Sequence, residues 1–84
     1  MKVLWTEAAI KDLDKIDKLV VRRILRKVAW LASNFEKVTA EPLAGELKRM
    51  FKLRIGNWRA VYSIEDRTIV VQFVGHRGEI YRTS

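Results

Sequence analysis

The sequence predicts an α+β domain: an N-terminal strand, a two-helix hairpin, then a three-stranded antiparallel meander with the helices packed on one sheet face. Three observations lead there. Apolar residues recur at helical spacing between Ala9 and Leu31. From Phe51 onward the period changes to alternation. Between two alternating runs stands Gly56-Asn57, a two-residue hairpin signal. Helical runs followed by strand runs indicate α+β rather than interleaved α/β architecture.

The elements follow in order. Val3-Leu4-Trp5 is a short apolar run and reads as the first strand. Thr6 is an N-cap residue, and Glu7 suits the positive end of the helix dipole. Ala9, Ile10, Leu13 and Ile16 form the apolar stripe of that helix. Asp17 caps a second helix, which buries Val20, Val21, Ile24, Leu25, Val28 and Leu31 and ends near Ser33-Asn34. Its Arg22, Arg23, Arg26 and Lys27 read most simply as a charged outer face. The stretch 35–45 contains Pro42, shows no clear period and reads as a connecting loop.

The meander fixes two faces. With two-residue turns at Gly56-Asn57 and Asp66-Arg67, Ile55 faces Trp58, Arg54 faces Arg59 and Lys52 faces Val61. Across the second turn Arg59 falls opposite Val74, with Gln72 and His76 diagonal to it. Phe51, Leu53, Ile55, Trp58, Ala60, Tyr62, Ile64, Ile69, Val71 and Phe73 then share the face that the helices must cover. Lys52, Arg54, Arg59, Ser63, Gln72 and His76 share the open one.

Composition bounds the function. Eighty-four residues, 49% of them apolar, make a single domain over 1–84. Seventeen basic residues against ten acids give a formal charge of +7, which favours nucleic acid or an acidic protein segment as partner. With no cysteine, disulfides and thiolate chemistry are excluded. The N-terminus does not read as a signal peptide, and no apolar run approaches the ~20 residues that cross a bilayer. The expectation is a soluble, cytoplasmic protein without membrane contact.

The stretch 48–59 holds five basic residues and no acid. Arg54 and Arg59, directly opposite on one face, repel each other. A phosphate between them would turn that repulsion into charge-assisted hydrogen bonds. One histidine and scattered acids assemble no metal site, and no glycine loop cradles a cofactor's phosphates. Metal-free cleavage of RNA, by attack of a 2′-hydroxyl on the adjacent phosphate, needs a base, a cationic clamp and an acid. Arg54, Arg59 and Arg77 suit the clamp. Lys52, His76 and Tyr81 are candidates for base and acid. Lys48, Arg49 and Arg82 add positive field around them. Tyr81 reads equally as core or as a stacking platform.

The motifs Phe-Lys-Leu-Arg-Ile-Gly-Asn-Trp-Arg-Ala-Val-Tyr-Ser-Ile and Val-Gly-His-Arg-Gly-Glu-Ile-Tyr-Arg resemble those of the RelE/ParE superfamily of toxins from toxin–antitoxin systems. The resemblance implies one of two activities. RelE-like members are ribonucleases that cut messenger RNA on the ribosome without metal; ParE-like members inhibit DNA gyrase and lack the basic and tyrosine site. In both, a cognate antitoxin neutralises the toxin. By this resemblance Lys52 matches a catalytic lysine, Arg54 a basic residue of the same strand, and Arg59 the arginine after the turn aromatic. Arg77 matches the arginine after the last strand, and Tyr81 the tyrosine near the C-terminus. Met50 and His76 stand where some RelE members have lysine.

Overall fold

A computed structural model of the protein describes residues 1–38, 40–43 and 49–79. The elements are β1 (Lys2–Trp5), α1 (Glu7–Asp14), α2 (Lys18–Asn34), a 3₁₀ turn (Phe35–Lys37), β2 (Glu41–Pro42), β3 (Phe51–Ile55), β4 (Trp58–Glu65) and β5 (Thr68–His76). They form a five-stranded sheet in the order β1-β5-β4-β3-β2. The meander β3-β4-β5 is antiparallel, while β1 joins β5 in parallel. The predicted α+β class and element order are present. The stretch read as a loop instead contains the 3₁₀ turn and β2, which pairs Glu41 with Lys52 and Pro42 with Phe51. A proline is tolerated there because β2 is an edge strand.

Both predicted caps form. The Thr6 hydroxyl accepts a hydrogen bond from the Ala9 amide (3.1 Å) and donates to the Gln72 carbonyl (2.8 Å), so the start of α1 is fastened to β5. The Asp17 carboxylate accepts from the Leu19 amide at 3.0 Å. At the other end of α2, the Asn34 side chain donates to the Trp30 carbonyl one turn back along the helix, at 2.9 Å.

The core joins Ala9 of α1 and Ile24, Val28 and Leu31 of α2 to Leu53, Ile55, Ala60, Tyr62, Ile69, Val71 and Val74 of the sheet. Each fully buried Leu, Ile or Val contributes roughly 1.5–3 kcal/mol relative to its exposed state. Among the helical residues expected in the core, Val21 lies outside it half-buried, and Ile10 and Leu25 lie outside it at 49% and 43% exposed. For Ile10 and Leu25 the reason is local. Each directly follows a fully buried residue, Ala9 or Ile24, and a step of ~100° along a helix turns it away from the sheet.

One register differs from the predicted one. Tyr62 pairs with Val71 but Val61 pairs with Phe73, so Gln72 is an extra residue in β5. Beyond this bulge Ala60 faces Val74, Arg59 faces Gly75 and Trp58 faces His76. Phe73 therefore crosses to the open face, and Val74 takes its expected place in the core. The Val74 amide is received by the Asp12 carboxylate of α1 at 2.9 Å. Alternation alone could not reveal this, because Val70, Val71, Phe73 and Val74 offer apolar residues to both faces.

Candidate functional site

The open face is laid out in rows. The first runs Glu41–Lys52–Val61–Phe73 across four strands, and the next runs Arg54–Arg59–Gly75. Arg54 and Arg59 are direct cross-strand partners, as the alternation predicts, and Lys52 lies one row away on the same face. Val61 is fully buried yet lies outside the helix-covered core, on the side of Lys52 and Phe73. The cations thus stand on a floor whose centre is apolar.

The charges of this face are partly engaged. One oxygen of Glu41 lies 3.7 Å from the Lys52 amine and 3.4 Å from the Arg54 guanidinium. This counter-ion is invisible to pattern reading, since a two-residue strand has no periodicity. Arg59 donates from one guanidinium nitrogen to the carbonyls of Gly56 and Trp58, both at 2.8 Å. It is thereby held over the β3–β4 turn by two backbone carbonyls, with its charge uncompensated by any carboxylate among the described residues.

The turn gathers a further candidate. The Arg77 amide donates to the Asn57 carbonyl at 2.8 Å, which brings the end of β5 against the same turn. Gly56 has φ of +59°, the left-handed region that glycine adopts without cost. His76 is not on the Arg59 face: it faces Trp58, with ring centroids 5.5 Å apart in an edge-to-face arrangement. The bulge at Gln72 is the reason, because one inserted residue exchanges the faces of everything after it. Arg49 is exposed just before β3. Lys48, Tyr81 and Arg82 lie outside the described residues. Among the described residues, no three His, Asp or Glu side chains come together in a way that could hold a metal ion, and no helix is long and apolar enough to cross a membrane.

Burial raises the pKa of the Tyr62 phenol above its ordinary 10.0, and the negative charge of Glu41 adds to the shift. Tyr62 lies under the cationic rows, packed on Phe51 at a centroid distance of 5.6 Å. It acts as a neutral structural member of the sheet.

Two helices on a mixed five-stranded sheet are the frame this chain shares with solved toxins of bacterial and archaeal toxin–antitoxin systems. Residues 3–81 match the family described as ParE toxin of type II toxin-antitoxin system, parDE. The chain belongs to this family, within the RelE/ParE superfamily, and is a toxin of a type II toxin–antitoxin module. It is 32% identical over 82 residues to Toxin RelG of Mycobacterium tuberculosis, covering 95% of this chain and 94% of that protein. Its structure is similar to a chain of the RelBE2 toxin–antitoxin complex of Mycobacterium tuberculosis, with a TM-score of 0.80 and 30% identity over 90% of this chain and 96% of the other. The isolated RelE toxin of E. coli shares the fold, with a TM-score of 0.73, 23% identity, and coverage of 96% and 90%.

Proposed function

We propose that this toxin is a ribosome-dependent messenger RNA endoribonuclease, acting in the cytoplasm and neutralised by a cognate antitoxin. The observation that carries the reading is the directly facing pair Arg54 and Arg59, with Lys52 one row away. Like charges opposite one another destabilise a sheet, so an anion between them is what the arrangement suits. The scissile phosphate of RNA is that anion. Lys52, acting as the neutral amine once phosphate has displaced Glu41, takes the proton of the 2′-hydroxyl, whose oxygen bonds to phosphorus as the bond to the 5′-oxygen breaks. Arg54 and Arg59 stabilise the charge that builds on the phosphate oxygens. The 5′-oxygen leaves with a proton supplied by Tyr81, the acid candidate that also matches the family's C-terminal tyrosine, while Arg77 adds charge beside the turn. The products are a 2′,3′-cyclic phosphate and a free 5′-hydroxyl. His76, on the other face, takes no direct part.

The second reading, inhibition of DNA gyrase, is favoured by the ParE description of the matched family and by the engagement of Lys52 and Arg54 with Glu41. Expression in growing cells with primer-extension mapping of messenger RNA separates the two. Cleavage within translated messages that disappears in Arg59→Ala, at equal protein level and with a retained thermal transition, is the expected result. Growth arrest with DNA damage and uncut messages would establish the gyrase reading instead.

A further inference from the structure

Beside the turn lies a second cationic region. A groove of about 430 Å³ runs between α2 and the end of β3, lined by Arg23, Arg26, Lys27 and Trp30 on one side and by Arg54, Ile55 and Gly56 on the other. This volume is in the range of pockets that hold small organic groups. Read from the sequence alone, the α2 cations are only a solvated helix face. The fold instead brings them against the strand that carries Arg54. Among the described residues, Arg23, Arg26 and Lys27 have no ion-pair partner, and the lining contains no carboxylate.

The two sides of the groove fit closely. A Cβ added to Gly56 would stand 2.9 Å from the Arg23 guanidinium, so the turn and α2 meet through that side chain. Arg23, Arg26, Lys27 and Trp30 follow the i, i+3, i+4, i+7 spacing of one helix face, a stripe of roughly 10 Å. Trp30 is 45% exposed, and the Lys27 amine sits 4.2 Å from its ring centroid. An exposed indole among cations is the combination that holds single-stranded nucleic acid: stacking takes the base and the charges take the backbone. Arg54 belongs to both regions, lining the groove while facing Arg59 on the sheet. A strand with one phosphate at Arg54 and Arg59 has its continuation in the groove.

We infer that the groove is a subsite for the RNA nucleotides flanking the phosphate bound at Arg54 and Arg59, with Trp30 as the base platform. The inference rests on the ribonuclease reading and adds an extended contact to it. Purified toxin is titrated with a fluorescent trinucleotide and a nonanucleotide of single-stranded RNA over a range of salt. The double variant Arg23→Ala/Arg26→Ala should weaken nonanucleotide binding about ten-fold or more, and flatten its salt dependence by roughly 0.7 in log–log slope per cation removed. Trp30→Ala should weaken it by about ten-fold, consistent with loss of one stacked base, without changing that slope. Trinucleotide binding should be unchanged in both, and Arg23→Lys/Arg26→Lys should keep the wild-type slope. Unchanged nonanucleotide affinity in the groove variants, with both oligonucleotides lost in Arg59→Ala, overturns the subsite and leaves the phosphate face standing. Trinucleotide binding that survives Arg59→Ala overturns the phosphate face itself. If the groove variants lose a poly-glutamate peptide but keep the nonanucleotide, the groove receives an acidic protein segment and the inference falls.

Discussion

At the scale of single residues, Glu41 decides how strongly the cationic face can hold an anion. It serves two cations with one oxygen. A partly exposed ion pair of this kind contributes only ~0.2–1 kcal/mol to stability, so its loss leaves the fold intact. An incoming phosphate, however, must compete with it. Glu41→Gln should therefore bind single-stranded RNA more tightly than the wild type, with a salt dependence steeper by roughly 0.7 in log–log slope, as titrations at increasing potassium chloride would show. An unchanged slope would mean that Glu41 leaves the cations whenever RNA arrives. The pairing of Arg54 with Arg59 is legible in the sequence because a two-residue turn and strict alternation on both sides allow one register. Glu41 is not legible: its position depends on a strand of two residues reached through an aperiodic stretch.

At the scale of elements, the two hairpin turns differ in how well their residues suit them. Gly56 alone takes positive φ in the first, whereas Asp66 and Arg67 both do in the second, at 51° and 59°. Two consecutive left-handed residues are the pattern of a type I′ turn, for which Asp-Gly is the favoured pair. Arg67 instead bears the steric cost of a Cβ in that region, ~1–2 kcal/mol, which the greater freedom of glycine in the unfolded chain partly offsets. Arg67→Gly should stabilise the domain by about 1 kcal/mol and raise its melting temperature by roughly 4–8 °C in a calorimetric scan. The meander itself could be read in advance, since both turns carry sequence signals. The bulge could not. It depends on α1, whose Asp12 receives the Val74 amide from 62 residues away, and no local pattern announces so distant a partner.

At the scale of the whole molecule, stability at high pH turns on the core beneath the charged face. Tyr62 is 2% exposed, and its phenol titrates above 10.0 because burial, and then Glu41, oppose the phenolate. The folded state consequently holds this proton to higher pH than the unfolded chain does. The contribution is fully present below pH 10 and is lost as pH rises through the folded-state value. Melting temperatures measured from neutral to strongly alkaline pH should fall beyond that point, and Tyr62→Phe should fall less steeply over the same interval; parallel curves would show that Tyr62 does not govern the loss. The overall architecture was open to sequence reasoning because each period change is long and well marked. The division of labour across it was not, because the bulge moves His76 away from Arg59 and the fold gathers α2 cations around Arg54.

The parallel pairing of β1 with β5 sets an order of events during synthesis. Lys2 finds its sheet neighbour at Thr68, and Trp5 at Val71. The Thr6 amide and hydroxyl likewise bond to Val71 and Gln72. When β1 leaves the ribosome, the strand it needs is still untranslated, and at ~5–20 residues per second it waits several seconds. Until β5 emerges, the α1 cap has no anchor and the sheet has no closing strand. The sheet and the α1 cap are therefore completed only once β5 has been made, so this domain cannot fold in the order in which it is synthesised.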